Sequence, residues 1–69
     1  MNRIPFGSTS VVSAGYDPDA LVLEVEFQGG GVYQYFDVPQ AVYDEFAASE
    51  SKGVFVNTVI KRSYRYARL

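Results

Sequence analysis

Between Leu21 and Phe36, two alternating apolar runs flank three consecutive glycines, and no other stretch of the chain restricts its fold as strongly. Leu21, Leu23, Val25 and Phe27 recur at every second residue with Glu24 and Glu26 between them, the period of a half-buried strand. Gly29, Gly30 and Gly31 supply the positive-φ positions that a tight reversal needs, so the stretch predicts a β-hairpin whose apolar face the rest of the chain must cover. Loop length decides which side chains share that face. A loop made of all three glycines sets Phe27 opposite Tyr33 and Val25 opposite Tyr35, with Gln34 on the face of Glu24 and Glu26; this is the expected register. A two-residue turn at Gly29 and Gly30 would instead put Tyr33 and Tyr35 beside the glutamates, on the outer face.

With 69 residues the chain forms one domain, and at that size only about 60% of the unfolded surface can be buried. Six Tyr and five Phe offset the small core, since large rings bury much area per residue. The absence of Cys and His excludes disulfides, thiol nucleophiles, histidine bases and zinc sites built on those ligands. No cofactor is expected and no metal. Residues 1–7 contain Pro5 and Gly7 without periodicity and predict a flexible leader, with Phe6 tucked against the core; residues 8–69 form the domain. Ser8 to Tyr16 predicts a first, edge strand, with Gly15 marking a bulge or a close backbone approach. Ser8, Thr9 and Ser10 read as strand-entry hydroxyls, because the chain has no suitable base to activate a serine. Asp17-Pro18-Asp19 is a turn, its carboxylates accepting from nearby backbone amides, and nothing around it completes a calcium loop.

After the hairpin the period lengthens. Val42, Tyr43, Phe46 and Ala47 form a helical stripe within Gln40 to Ser49, leaving Gln40, Asp44, Glu45 and Ala48 outward. Pro39 suits the first helical position, and Asp37 suits the dipole. Gly53 breaks this helix, as a left-handed cap or a sharp redirection. Val54 to Arg62 is open between strand and helix: its β-branched content favours the first, while the spacing of Phe55, Val59 and Ile60, with Tyr64 beyond, follows a helical stripe that buries Phe55 and Ile60 and leaves Lys61 in water. In the helical case the Asn57 amide is expected to bond the backbone of the preceding loop, so that Asn57→Ala would cost about 1 kcal/mol or more if the amide is buried. Ser63 to Leu69 predicts a last short strand, with Tyr64 and Tyr66 on one face and Arg65 on the other. The expected class is α+β: a small antiparallel sheet of three strands plus a short C-terminal strand, one face covered by one or two helices.

The ordered set Ser8-Thr9-Ser10-Val11, Gly15-Tyr16-Asp17, Leu23-Glu24-Val25-Glu26-Phe27, Tyr33-Gln34-Tyr35, Val38-Pro39, Ser51-Lys52-Gly53, Phe55-Val56-Asn57, Ile60-Lys61 and Tyr64 resembles the KTSC domain. That module is named for its place at the C-terminus of some lysyl-tRNA synthetases and also occurs as a free-standing bacterial protein, the form this chain resembles. The resemblance spans Ser8 to Tyr66. It implies an uncharacterised domain for which RNA binding has been suggested, and it carries that role to Tyr33 and Tyr35.

Charge bears on the same question. Every Asp and Glu lies between Asp17 and Glu50, whereas Lys52, Lys61, Arg62, Arg65 and Arg68 all follow; only Arg3 breaks the separation. Against a formal net charge of −2, the end of the chain can still form a local positive patch. An RNA-binding module would stack bases on Tyr33 and Tyr35 and contact phosphates with Lys61, Arg62, Arg65 and Arg68. The structural reading of Tyr33 and Tyr35 is that they are core residues whose hydroxyls reach the rim, and the alternative function is a protein-interaction module or accessory subunit acting through an exposed sheet edge or an aromatic patch. No spacing brings a nucleophile to a base, so no enzymatic activity and no small-molecule substrate are expected. Without a signal-like or membrane-length apolar run, a soluble cytoplasmic protein is expected.

Overall fold

The computed structural model describes residues 3–69. Five antiparallel strands stand in chain order, β1 (Ile4–Pro5), β2 (Val11–Asp17), β3 (Val22–Phe27), β4 (Gly31–Tyr35) and β5 (Tyr66–Arg68), each hydrogen-bonded to the next. Two helices enter between β4 and β5. The first, α1, spans Gln40–Ala48. The second, α2, begins as Lys52–Phe55, widens to a π-helical stretch over Val56–Ile60 and closes with an α turn at Lys61–Ser63. The α+β class and the single helical layer are as expected, but the sheet has one strand more than three plus one. Ile4 and Pro5, assigned to the leader, pair with Ala14 and Ser13, so β2 is not an edge. Met1 and Asn2 lie outside the described residues.

In the hairpin Phe27 pairs with Gly31, Val25 with Tyr33 and Leu23 with Tyr35. The loop is therefore Gln28-Gly29-Gly30, not the glycine triplet, and the pairing is displaced by two residues from the expected register. Gly29 and Gly31 hold φ of 67° and 90°, while Gly30 has no positive φ. Because the side-chain period is two, this displacement leaves the faces unchanged: Tyr33 and Tyr35 lie with the apolar residues, and Gln34 lies beside Glu24. The bulge in β2 is between Val11 and Ser13 and not at Gly15, with Val11 paired to Phe27 and Ser13 to Glu26. It re-phases the alternation so that Val11 and Ala14, three residues apart, both reach the core.

That core comprises Val11, Ala14, Leu23 and Val25 with Tyr35 and Val38, closed by Phe46 from α1 and by Val56 and Ile60 from α2. Val42 and Tyr43 pack partly against it, as expected, whereas Ala47 is exposed. On α2 the buried apolar side chains are Val56 and Ile60; Val59, assigned to the stripe, faces water, because Val56 and Ile60 fill the space under the helix. Pro39 is the residue before α1 and not its first, and its carbonyl accepts from Val42 and Tyr43. Asp37 makes no cap: it takes φ of 59° and pairs with Arg65. Gly53 caps nothing, since α1 already ends at Ala48. It is the buried second residue of α2, and an added Cβ would meet the Ser10 Cβ at 2.6 Å. The helix can approach the chain entering β2 only because this position has no side chain.

The turns behave as their residues dictate. Asp17 Oδ1 accepts from the amides of Asp19 and Ala20 at 3.0 and 3.2 Å, and Ser8 Oγ accepts from the amides of Ser10 and Val11. On the sheet face away from the helices, Arg3 lies 3.4 Å from Glu24 and 3.6 Å from Glu26, Gln34 donates to Glu24, and Ser13 donates to Glu26. The residue that breaks the charge separation in sequence thus offsets the two glutamates of the hairpin.

Candidate binding site

Tyr33 and Tyr35 project from β4 to the helical side, and antiparallel pairing brings Tyr66 of β5 opposite Tyr35. The three rings converge, with Tyr66 centred 5.6 Å from Tyr35 and 6.0 Å from Tyr33, and Phe27 stands edge-on to Tyr33 at 5.7 Å. Together with Gly30 of the loop and Asn57 and Lys61 of α2, they line a cavity of 260 Å³. No acidic residue lines it. The π stretch contains Asn57 and ends just before Lys61, whose N–H reaches back five residues to the Val56 carbonyl.

Tyr35 is 3% exposed, and its hydroxyl makes no hydrogen bond to the described residues yet is no buried orphan, so that oxygen meets solvent at the cavity. Burial, helped by Tyr33 and Tyr66, pushes its phenol up to about 12. It stays a neutral donor at physiological pH. Asn57 is exposed and makes no hydrogen bond to the described residues, which corrects the expectation of a loop-fixing amide: its side chain is on the cavity wall.

Among the expected binding residues, the structure therefore brings Tyr33, Tyr35 and Lys61 together. The Lys61 ammonium lies 6.0 Å from the Tyr66 ring centre. Arg68 crosses the hairpin end, its guanidinium 5.9 Å from the Tyr33 ring centre and so close to Gly31 that a Cβ there would lie 3.0 Å from Nε and Nη2. Arg62 is exposed on α2, and neither it, Lys61 nor Arg68 forms an ion pair among the described residues. Arg65 is not at the cavity; it pairs with Asp37 at 3.3 Å and lies over Phe36 on the other side of the sheet end. Tyr66 was missed as a site residue, although its two-residue spacing from Arg68 and the pairing of Ser63 to Leu69 with the sheet would have placed it beside Tyr35.

A second aromatic group is structural. Tyr16 stacks on Tyr43 at 4.9 Å and donates its hydroxyl to the Val38 carbonyl, tying β2 to the entry of α1. Burial first, then Asp44 and Asp17, raise the Tyr16 phenol. A smaller recess of 180 Å³ beside Phe6 holds Lys52, but its ammonium already donates to the Ser49 carbonyl. No group of three or more metal-ligating side chains occurs among the described residues. None of the described helices is long and apolar enough to cross a membrane.

A five-stranded meander with helices on one face and an aromatic cavity at the hairpin end defines a small α+β domain. The chain belongs to the KTSC domain family, whose model matches residues 7–64. It is similar to a KTSC domain protein of known crystal structure from Yersinia pestis, at 38% identity and a TM-score of 0.94, covering 99% of this chain and 96% of that one. An uncharacterised protein from Stutzerimonas stutzeri is 41% identical over 70 residues, which cover 100% of this chain and 99% of that protein. A lysine–tRNA ligase from a Nostoc species is 37% identical over 54 residues, 78% of this chain but only 10% of the ligase.

Proposed function

We propose that the domain is a binding module for single-stranded RNA, with the tyrosine cavity taking an unstacked base and the adjoining cations taking phosphate. The observation that supports this most is the composition of the cavity: aromatic rings, one amide and one ammonium, with no carboxylate to repel a phosphate. Arg68 adds positive charge beside it, while Arg3 offsets Glu24 and Glu26 on the opposite face. The name of the ligase relative adds support, since that enzyme acts with tRNA and carries a segment like this one.

Amide shifts during titration with a short single-stranded RNA test the reading. Shifts are expected at Gly30, Tyr33, Tyr35, Asn57, Lys61 and Tyr66, with affinity falling as salt rises at a logarithmic slope of about −0.7 for each phosphate contacted. Silence at these amides sinks the reading, and RNA binding whose affinity is indifferent to salt would remove phosphate contact from it.

A further inference from the structure

We propose that the site accepts one nucleotide, its base enclosed by Tyr33, Tyr66 and Phe27 and its two flanking phosphates gripped by Lys61 and Arg68, and that it is not a platform for a run of bases. The inference rests on the RNA reading above and states how much of a strand that site can hold. A sheet that stacks several bases spreads its rings along an open face. Here the rings converge on one space. Tyr35, being 3% exposed, offers that space a hydroxyl and no open ring face. At 260 Å³ the recess is below the roughly 300 Å³ at which ordinary small-molecule pockets begin, a size that suits one heterocycle between its rings. Among the described residues no second open platform continues it. The Tyr16 and Tyr43 rings are stacked on each other, and Asp17 and Asp44 act on the Tyr16 phenol, a poor setting for a phosphate backbone.

The cations flank the space in the way one nucleotide needs. Lys61 stands at the Tyr66 ring, from α2, and Arg68 stands at the Tyr33 ring, from the sheet. Neither is held by a carboxylate among the described residues. On the same helical wall as Lys61, the Asn57 amide presents a donor and an acceptor to a base edge without breaking any bond to the described residues.

Three strands separate the outcomes: a short single-stranded RNA, the same backbone with only its central base retained, and the fully abasic backbone. The single-base strand should bind within about twofold of the full one, and the abasic strand roughly 5- to 150-fold more weakly, the span of one base–aromatic stack. Tyr66→Ala should weaken the first two equally and leave the abasic strand unchanged. Lys61→Ala should reduce the salt slope by about 0.7. Lys61 is exposed enough that its variant should melt like the parent, whereas Tyr66 packs its ring on Tyr33 and Tyr35, so the melt of Tyr66→Ala is measured alongside and Lys61→Ala carries the test if that variant is unstable. If the full strand binds and affinity climbs with each added base, the one-nucleotide inference fails while RNA binding stands. Should none of the three strands bind, both fall.

Discussion

Tyr35 joins the core to the cavity. Its ring is among the buried residues, and its phenol is raised from 10.0 to about 12. The fold therefore favours the protonated form, and the resulting stability is complete below pH 10 and is lost as pH rises through about 12. Alkaline unfolding should be shallower in Tyr35→Phe, with the residual slope carried partly by Tyr16, whose phenol is also raised. Denaturant melts at pH 9 and pH 11 measure the difference. Gly53→Ala is expected to destabilise by about 1–3 kcal/mol, because the new methyl meets Ser10 at a distance the packed backbone cannot yield, and Ser10→Gly in the same chain should recover much of the loss. Asn57→Ala should change stability by less than about 0.5 kcal/mol, contrary to the reading in which the amide was buried. Nothing in the residues 54–62 distinguishes an inward amide from an outward one, since both lie one position from a buried neighbour.

At the scale of elements, the hairpin separates what alternation can reveal from what it cannot. A period of two sorts Leu23, Val25, Phe27, Tyr33 and Tyr35 onto one face, and they are found there. Registers two residues apart satisfy the same sorting, so the partner of each tyrosine depended on loop geometry, which three consecutive glycines leave undetermined. The bulge in β2 was illegible for a similar reason: an extra residue at Val12 breaks the alternation that identifies a strand. The leader was misread because two residues carry too little pattern to show a period, although backbone pairing with β2 is enough to make them a strand. On the cavity, the aromatic alternation around Tyr33 and the basic end were legible, but Phe27, Asn57 and Tyr66 join it only through long-range pairing and helix placement. Gly31→Ala tests the loop, because it combines a left-handed φ with a contact on Arg68. A loss of about 1–2 kcal/mol is expected from the backbone term alone, read as a lower thermal midpoint, with the β4 and β5 amides shifting together.

Across the molecule, stability should be graded from the middle of the sheet outward. β3 has a partner on each side and contributes two fully buried residues, Leu23 and Val25, whereas β1 and β5 each have one neighbour and are exposed. Hydrogen exchange should be slowest at the amides of β3 that pair with β2 and β4 and fastest in β1 and β5. Uniform protection across all five strands would contradict that order.

Tyr66, a wall of the cavity, belongs to the three-residue strand that hangs from β4 alone. Peeling of that strand would remove one wall of the recess and uncover the Tyr35 ring that Tyr66 packs against at 5.6 Å, so the recess lasts only as long as the strand stays paired. A guest that embraces Tyr66 and Arg68 would act as a latch on this last ribbon of chain.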